Sequence, residues 1–130
     1  ALECYALRLA IPNMAEQDFT LAEGLLDIYD QEPDPVNWGR MNRQFHLAIC
    51  APCDRPRLMA MIRDNMGRAD LFLRTEVSLV VGKERPQQEH RQLLELIRAG
   101  DAEEAARLLQ SHIEQTRRSV QATMRHRKAS

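Results

Sequence analysis

Between Trp38 and Ile49 the apolar residues Trp38, Met41, Phe45 and Ile49 recur at intervals of three and four, the period of an α-helix with one face in a core. Two polar residues ride the edge of that stripe, Asn42 directly after Met41 and His46 directly after Phe45. Placed at i and i+4, they share a face and can reach one object.

Two further histidines sit on inward stripes of other helices. His90 precedes Leu93, Leu94 and Ile97 by three, four and seven residues, and His112 lies one turn after Leu108 and Leu109, just before Ile113. A single histidine on an apolar stripe is satisfied by a backbone carbonyl as readily as by a ligand. Three of them on three helices of one small core are different. Burying three imidazoles is costly unless something uses their lone pairs, and a divalent metal does so. The amide oxygen of Asn42 supplies a fourth, weaker ligand.

Capping and breaking residues divide the chain into helices. Ile11-Pro12 ends a first helix over residues 1–10, because the residue before proline is pushed out of the helical region. Asn13 and Glu16 have capping-box spacing and open a second helix to about Asp30, which buries Ala22, Leu25, Leu26 and Tyr29. Asp34-Pro35 starts the helix of His46, and Pro52 stops it. Asp54 is placed to cap one long helix to about Val81, with Leu58, Ile62, Asn65, Ala69, Phe72, Leu73 and Val80 on its stripe and Gly82 as its break. Arg68 and Arg74 ride on this helix.

Pro86 begins the helix of His90, which ends at Gly100; Asp101 and Glu104 then open the last helix, from Ala102 to about Met124. The charged end beyond it is expected to fray, with His126 solvated. Almost no linker separates the last two helices, so they form a tight antiparallel pair. His90 is ten residues before Gly100 and His112 eleven after Asp101. At ~1.5 Å per residue both lie roughly 15 Å from the turn, so their imidazoles come level.

With 44% apolar but only 5% aromatic residues, the core must be built from Leu, Met, Ala, Ile and Val, which favours packed helices over sheet. No apolar run alternates. An all-α antiparallel bundle of about six helices follows, and 130 residues suffice for one domain with one core. A net charge of −1 leaves no basic face to grip a phosphate backbone, so any DNA binding lies in another part of the protein. No segment reads as a membrane span or a signal peptide, which points to the cytoplasm. The chain opens inside a helix without an initiating methionine, as a domain cut from something longer would. Three cysteines, an odd count, argue against a disulfide framework. Cys50-Ala-Pro-Cys53 has redox spacing but closes a helix with no strand before it, so it reads as two small residues packed at a turn. Hydrolytic zinc would use the same three histidines, yet no HExxH or comparable motif supplies its general base.

The pattern Asn42-Arg-Gln-Phe-His46, then Glu89-His90-Arg-Gln-Leu-Leu-Glu-Leu-Ile-Arg-Ala-Gly-Asp101, then Ala105-Ala106-Arg-Leu-Leu-Gln-Ser-His112-Ile113 resembles the FCD domain, the C-terminal effector-binding domain of FadR-subfamily GntR transcription regulators. The opening Leu2-Glu3 also matches, so the resemblance covers nearly the whole chain. It implies a single effector-binding and dimerisation domain over residues 1–130, a homodimer, and a winged-helix DNA-binding domain upstream. It also implies a divalent metal, zinc or nickel foremost, on Asn42, His46, His90 and His112, and a small carboxylate effector held by Arg74 or Arg68. Some members of the family instead have a metal-free, larger apolar pocket for acyl effectors. Asn42 stands where the family typically has Asp, which removes one negative charge from the site. Asp54-Arg55 stands where Gly-Asn is usual.

Overall fold

A computed structural model describes residues 1–67 and 71–129. Among these residues there are seven α-helices and no strand: α1 (Leu2–Ala10), α2 (Glu16–Gln31), α3 (Trp38–Cys50), α4 (Pro56–Met66), α5 (Leu71–Val81), α6 (Glu84–Arg98) and α7 (Ala102–Ala129). Short 3-10 turns at Ile11–Asn13, Pro35–Asn37 and Ala51–Cys53 join the first four. The core draws one wholly buried side chain from each of six helices: Leu7, Leu26, Phe45, Ile62, Leu93 and Leu109. Truncating the largest of these, Phe45, to alanine costs about 3–5 kcal/mol.

The hairpin that brings the later histidines together closes at Gly100. Its φ of +76° is open to glycine and lets two amides fold back, Gly100 N–H to Ile97 O at 2.9 Å and Asp101 N–H to Leu96 O at 3.0 Å. The Asp101 carboxylate then accepts from Glu104 N–H at 3.3 Å and starts α7. At the other end of α6, the Lys83 ammonium donates to the carbonyls of Tyr29, Asp30 and Glu32 at 3.0, 3.0 and 2.8 Å. A cation there satisfies the open carbonyls at the end of α2 and suits the helix dipole.

Four expectations are corrected. The long helix to Val81 is two helices: α4 ends at Met66, where Gly67 turns its N–H to Arg63 O and Asp64 O, and glycine inside a helix costs about 1 kcal/mol. A stripe counted across that break loses phase. Phe72 and Val80 therefore face outward, at 79% and 77% exposure, and Leu73 is the buried residue of α5; Asn65, on α4 itself, is also exposed. Ala69 lies outside the described residues. Second, Asn13 does not cap α2. Its amide donates to Pro52 O at 2.9 Å and ties two turns together, while Asp18 accepts from Ala15 N–H at 2.8 Å. Third, Asp54 does not cap α4 but takes a left-handed conformation at φ +55°, which aspartate tolerates better than most side chains. Fourth, the C-terminal segment is helical to Ala129 because α7 continues along α5, where Arg127 pairs with Glu76. The expected cap at Asp34 is present, accepting from Val36 N–H at 3.1 Å, although a 3-10 turn precedes α3.

Cys4, Cys50 and Cys53 are free and buried. Burial pushes the Cys50 thiol far above its ordinary value, the opposite of what a reactive thiolate needs. No helix among the described residues is long and apolar enough to cross a membrane.

Candidate metal centre

Helices α3, α6 and α7 deliver His46, His90 and His112 to one place, and all three side chains are buried. The ring of Phe45 lies 4.7 Å from that of His90, centroid to centroid, so the core residue beside His46 also fixes the orientation of His90. His46 and His112 come within 3.3 Å, Nε2 to Nε2, and His90 and His112 within 3.2 Å.

What sits behind each ring determines what these nitrogens are. Glu3 Oε1 is 2.7 Å from His46 Nδ1, Glu89 Oε1 is 2.9 Å from His112 Nδ1, and Gln87 Oε1 is 2.7 Å from His90 Nδ1. Gln87 donates its NH₂ to Leu26 O at 3.1 Å and to Asp30 Oδ1 at 2.7 Å, which leaves its oxygen toward the histidine. Carboxylates and carbonyl oxygens only accept, so each Nδ1 carries the hydrogen. In the neutral ring the opposite nitrogen, Nε2, then holds a lone pair.

Three lone pairs thus converge with no proton to share, an arrangement that repels itself until a cation enters. The two spacings to His112 fit one, and the donor atoms of all three histidines lie within 4.8 Å of one another. Two nitrogens bonded to a tetrahedral metal at about 2.0–2.1 Å stand about 3.3–3.4 Å apart. Burial favours the neutral, metal-competent form of His90 and His112 as well: desolvation lowers the His90 pKa strongly, and desolvation, followed by the repulsion His46 exerts whenever its ring is protonated, pushes His112 down to about 4 although Glu89 pulls the other way. Burial on its own would raise the pKa of Glu3. The facing His46 more than reverses that, and the carboxyl sits below its ordinary value.

A cavity of about 330 Å³ opens in front of the cluster. His46, His112, Asn42 and Glu3 form one end of it, while wholly buried His90 stands behind them and does not reach the wall. Asn42 is one helical turn before His46, the position its spacing required. Arg74 enters from α5, its Nε buried and without a hydrogen-bond partner among the described residues. Arg68 lies outside the described residues. Arg43 and Arg117 also line the cavity, Arg117 already paired with Glu114 at 2.7 Å.

Sequence reasoning missed the residues behind the rings. Gln87 was readable, since it precedes His90 by three and shares its helical face. Glu89 and Glu3 were quoted as parts of motifs, but neither has a local signal of its role. Glu3 meets a residue 43 positions away and Glu89 one 23 positions away, contacts that only the fold creates.

The family model for the FCD domain matches residues 1–115 of this chain. The crystal structure of a transcriptional regulator, a GntR family member from Pseudomonas syringae pv. tomato str. DC3000, superposes with a TM-score of 0.88 at 31% sequence identity. That match covers 98% of this chain and 54% of the other, so this chain spans about half the length of its neighbour. No curated protein matches the sequence.

Proposed function

This chain belongs to the FCD domain family, whose setting is transcriptional regulation and not catalysis, and on that premise we propose that it is the effector-sensing domain of a bacterial GntR-family regulator. In this reading one divalent ion, zinc or nickel, is held by the Nε2 atoms of His46, His90 and His112, with the Asn42 amide oxygen completing the protein's share. Bound there, the ion supplies a +2 charge that three neutral imidazoles and a neutral amide do not offset, together with positions that water or a ligand can exchange. A small organic acid takes those positions with its carboxylate, which Arg74 also meets, the Nε of Arg74 having no partner among the described residues.

The observation that carries the reading is the convergence of three imidazole lone pairs beside a cavity that His46 and His112 line. A hydrolase would need a free base beside the metal. Here Glu3 and Glu89 are both engaged by imidazole Nδ1 groups. A cavity of about 330 Å³ is at the small end of ligand sites, which disfavours the alternative of a metal-free pocket for long acyl effectors.

Control of DNA by a separate winged-helix domain, homodimerisation, placement in the FadR subfamily and a single-domain span of residues 1–130 complete the proposal. An effector regulates only by favouring one arrangement of bundle or dimer over another. The direct test is calorimetry of an α-hydroxy acid against the zinc-loaded and the metal-free chain. Binding at least tenfold tighter with zinc, a coupling of about 1.4 kcal/mol, is expected. Equal affinity would make the cluster purely structural.

A further inference from the structure

The cavity wall beyond the metal end does not match a generic organic acid. Besides His46, His112 and the arginines, the cavity is lined by Leu73, Val77 and Val81 of α5 and by Ile113 and Val120 of α7, and most of the accessible wall is carbon. Hydroxyls come from Tyr29, Ser78 and Thr116, and Thr116 already donates its proton to His112 O at 3.1 Å. A polyhydroxylated acid would press several hydroxyls against valine and leucine, each unmet group costing about 1–3 kcal/mol. At about 30 Å³ per water, the cavity has room for roughly ten water-sized groups.

We propose that the effector is a compact monocarboxylic acid with an apolar body, branched aliphatic or aryl, whose carboxylate lies at the His46–His112–Arg74 end and whose body fills the valine-lined remainder. This rests on the carboxylate-sensor reading and adds the chemical class of the ligand. One polar end and one apolar wall give the cavity a direction. Arg74 and Val77, nearly one turn apart on α5, share a face of that helix and both line the cavity, one offering charge and the other carbon.

The test uses the whole 130-residue chain loaded with zinc and three α-hydroxy acids that share one metal-chelating head: glycolate, erythronate and 2-hydroxy-4-methylpentanoate. The last two have the same number of non-hydrogen atoms and differ in whether the body is hydroxylated or apolar. Each buried methylene tightens binding about threefold to fourfold, so calorimetry should find 2-hydroxy-4-methylpentanoate at least about thirtyfold tighter than erythronate. Val77→Thr keeps the side-chain shape but adds a hydroxyl. It should weaken the apolar acid about fivefold and leave glycolate unchanged. A variant that weakens both acids equally, or neither, overturns the proposal. If glycolate binds through zinc but erythronate matches the apolar acid, the sensor reading stands and the apolar class is wrong. If none of the three binds more tightly with zinc than without, the carboxylate reading fails and the proposal fails with it.

Discussion

Glu89 and His112 meet across the α6–α7 interface, Oε1 to Nδ1 at 2.9 Å, and the same carboxylate oxygen also accepts from Arg85 at 2.6 Å. One oxygen thus fixes the tautomer of a histidine on the neighbouring helix, while the residue next to Glu89 in sequence, His90, turns its own ring into the same cluster. The hairpin at Gly100 makes this possible.

Replacing Glu89 with glutamine keeps the shape but removes the charge and lets an NH₂ group face Nδ1. His112 can then adopt the wrong tautomer, with its hydrogen on Nε2. Glu89→Gln should weaken zinc binding about 10- to 100-fold in a chelator-competition titration with the helical content unchanged. An unchanged affinity would mean that Nδ1 of His112 is not what orients the site.

His90 reaches no solvent and no cavity wall, so its Nε2 serves the cluster alone. Zinc at one hundred times its dissociation constant should stabilise the wild-type chain by about 2.7 kcal/mol and raise its melting temperature. His90→Ala should abolish that rise. A mutant that still gains the full shift would place the metal elsewhere.

Asn42 brings an oxygen without a charge. Asn42→Asp should tighten zinc roughly tenfold, because a carboxylate is a better partner for a borderline cation than an amide. The same titration giving equal or weaker affinity would take residue 42 out of the coordination sphere.

In the folded chain burial keeps His90 and His112 neutral, His112 to about pH 4, whereas an unfolded imidazole titrates near 6.5. Below about pH 6.5 the unfolded chain therefore binds protons that the folded chain refuses. Stability is complete above that value and falls as pH drops toward 4, by about 1.4 kcal/mol per pH unit for each such histidine. Thermal melts of the metal-free chain across this window should show a steady decline. A flat profile would contradict the burial of neutral rings.

Much of this was legible in the chain because the deciding patterns are local. The stripe from Trp38 to Ile49, the glycine at position 100 and the equal distances of His90 and His112 from it were enough to bring the histidines level, as their 3.2 Å contact bears out. Helix caps were less legible. Asn13 and Asp54 have the right chemistry for caps, but a contact with Pro52 and a left-handed turn claimed them. The break at Gly67 was hidden because Leu58, Ile62, Phe72 and Leu73 happen to keep helical spacing across it. Arg74 could be nominated from sequence, but not the unpartnered state of its Nε, which depends on where α5 comes to rest.

That resting place has a consequence for how the domain holds together. α5 contributes Leu73 as its buried side chain and, with Leu73, presents Arg74, Val77 and Val81 to the cavity, so part of its inner face borders a ligand-sized space. α5 packs against α3, α7 and the turn before α3, and a ligand in that space would add to those contacts. An acid bound there is expected to slow amide exchange across residues 71–81, a change that hydrogen-exchange measurements with and without it would read. In the proposed sensor, that tightening of α5 against α3 and α7 is the signal.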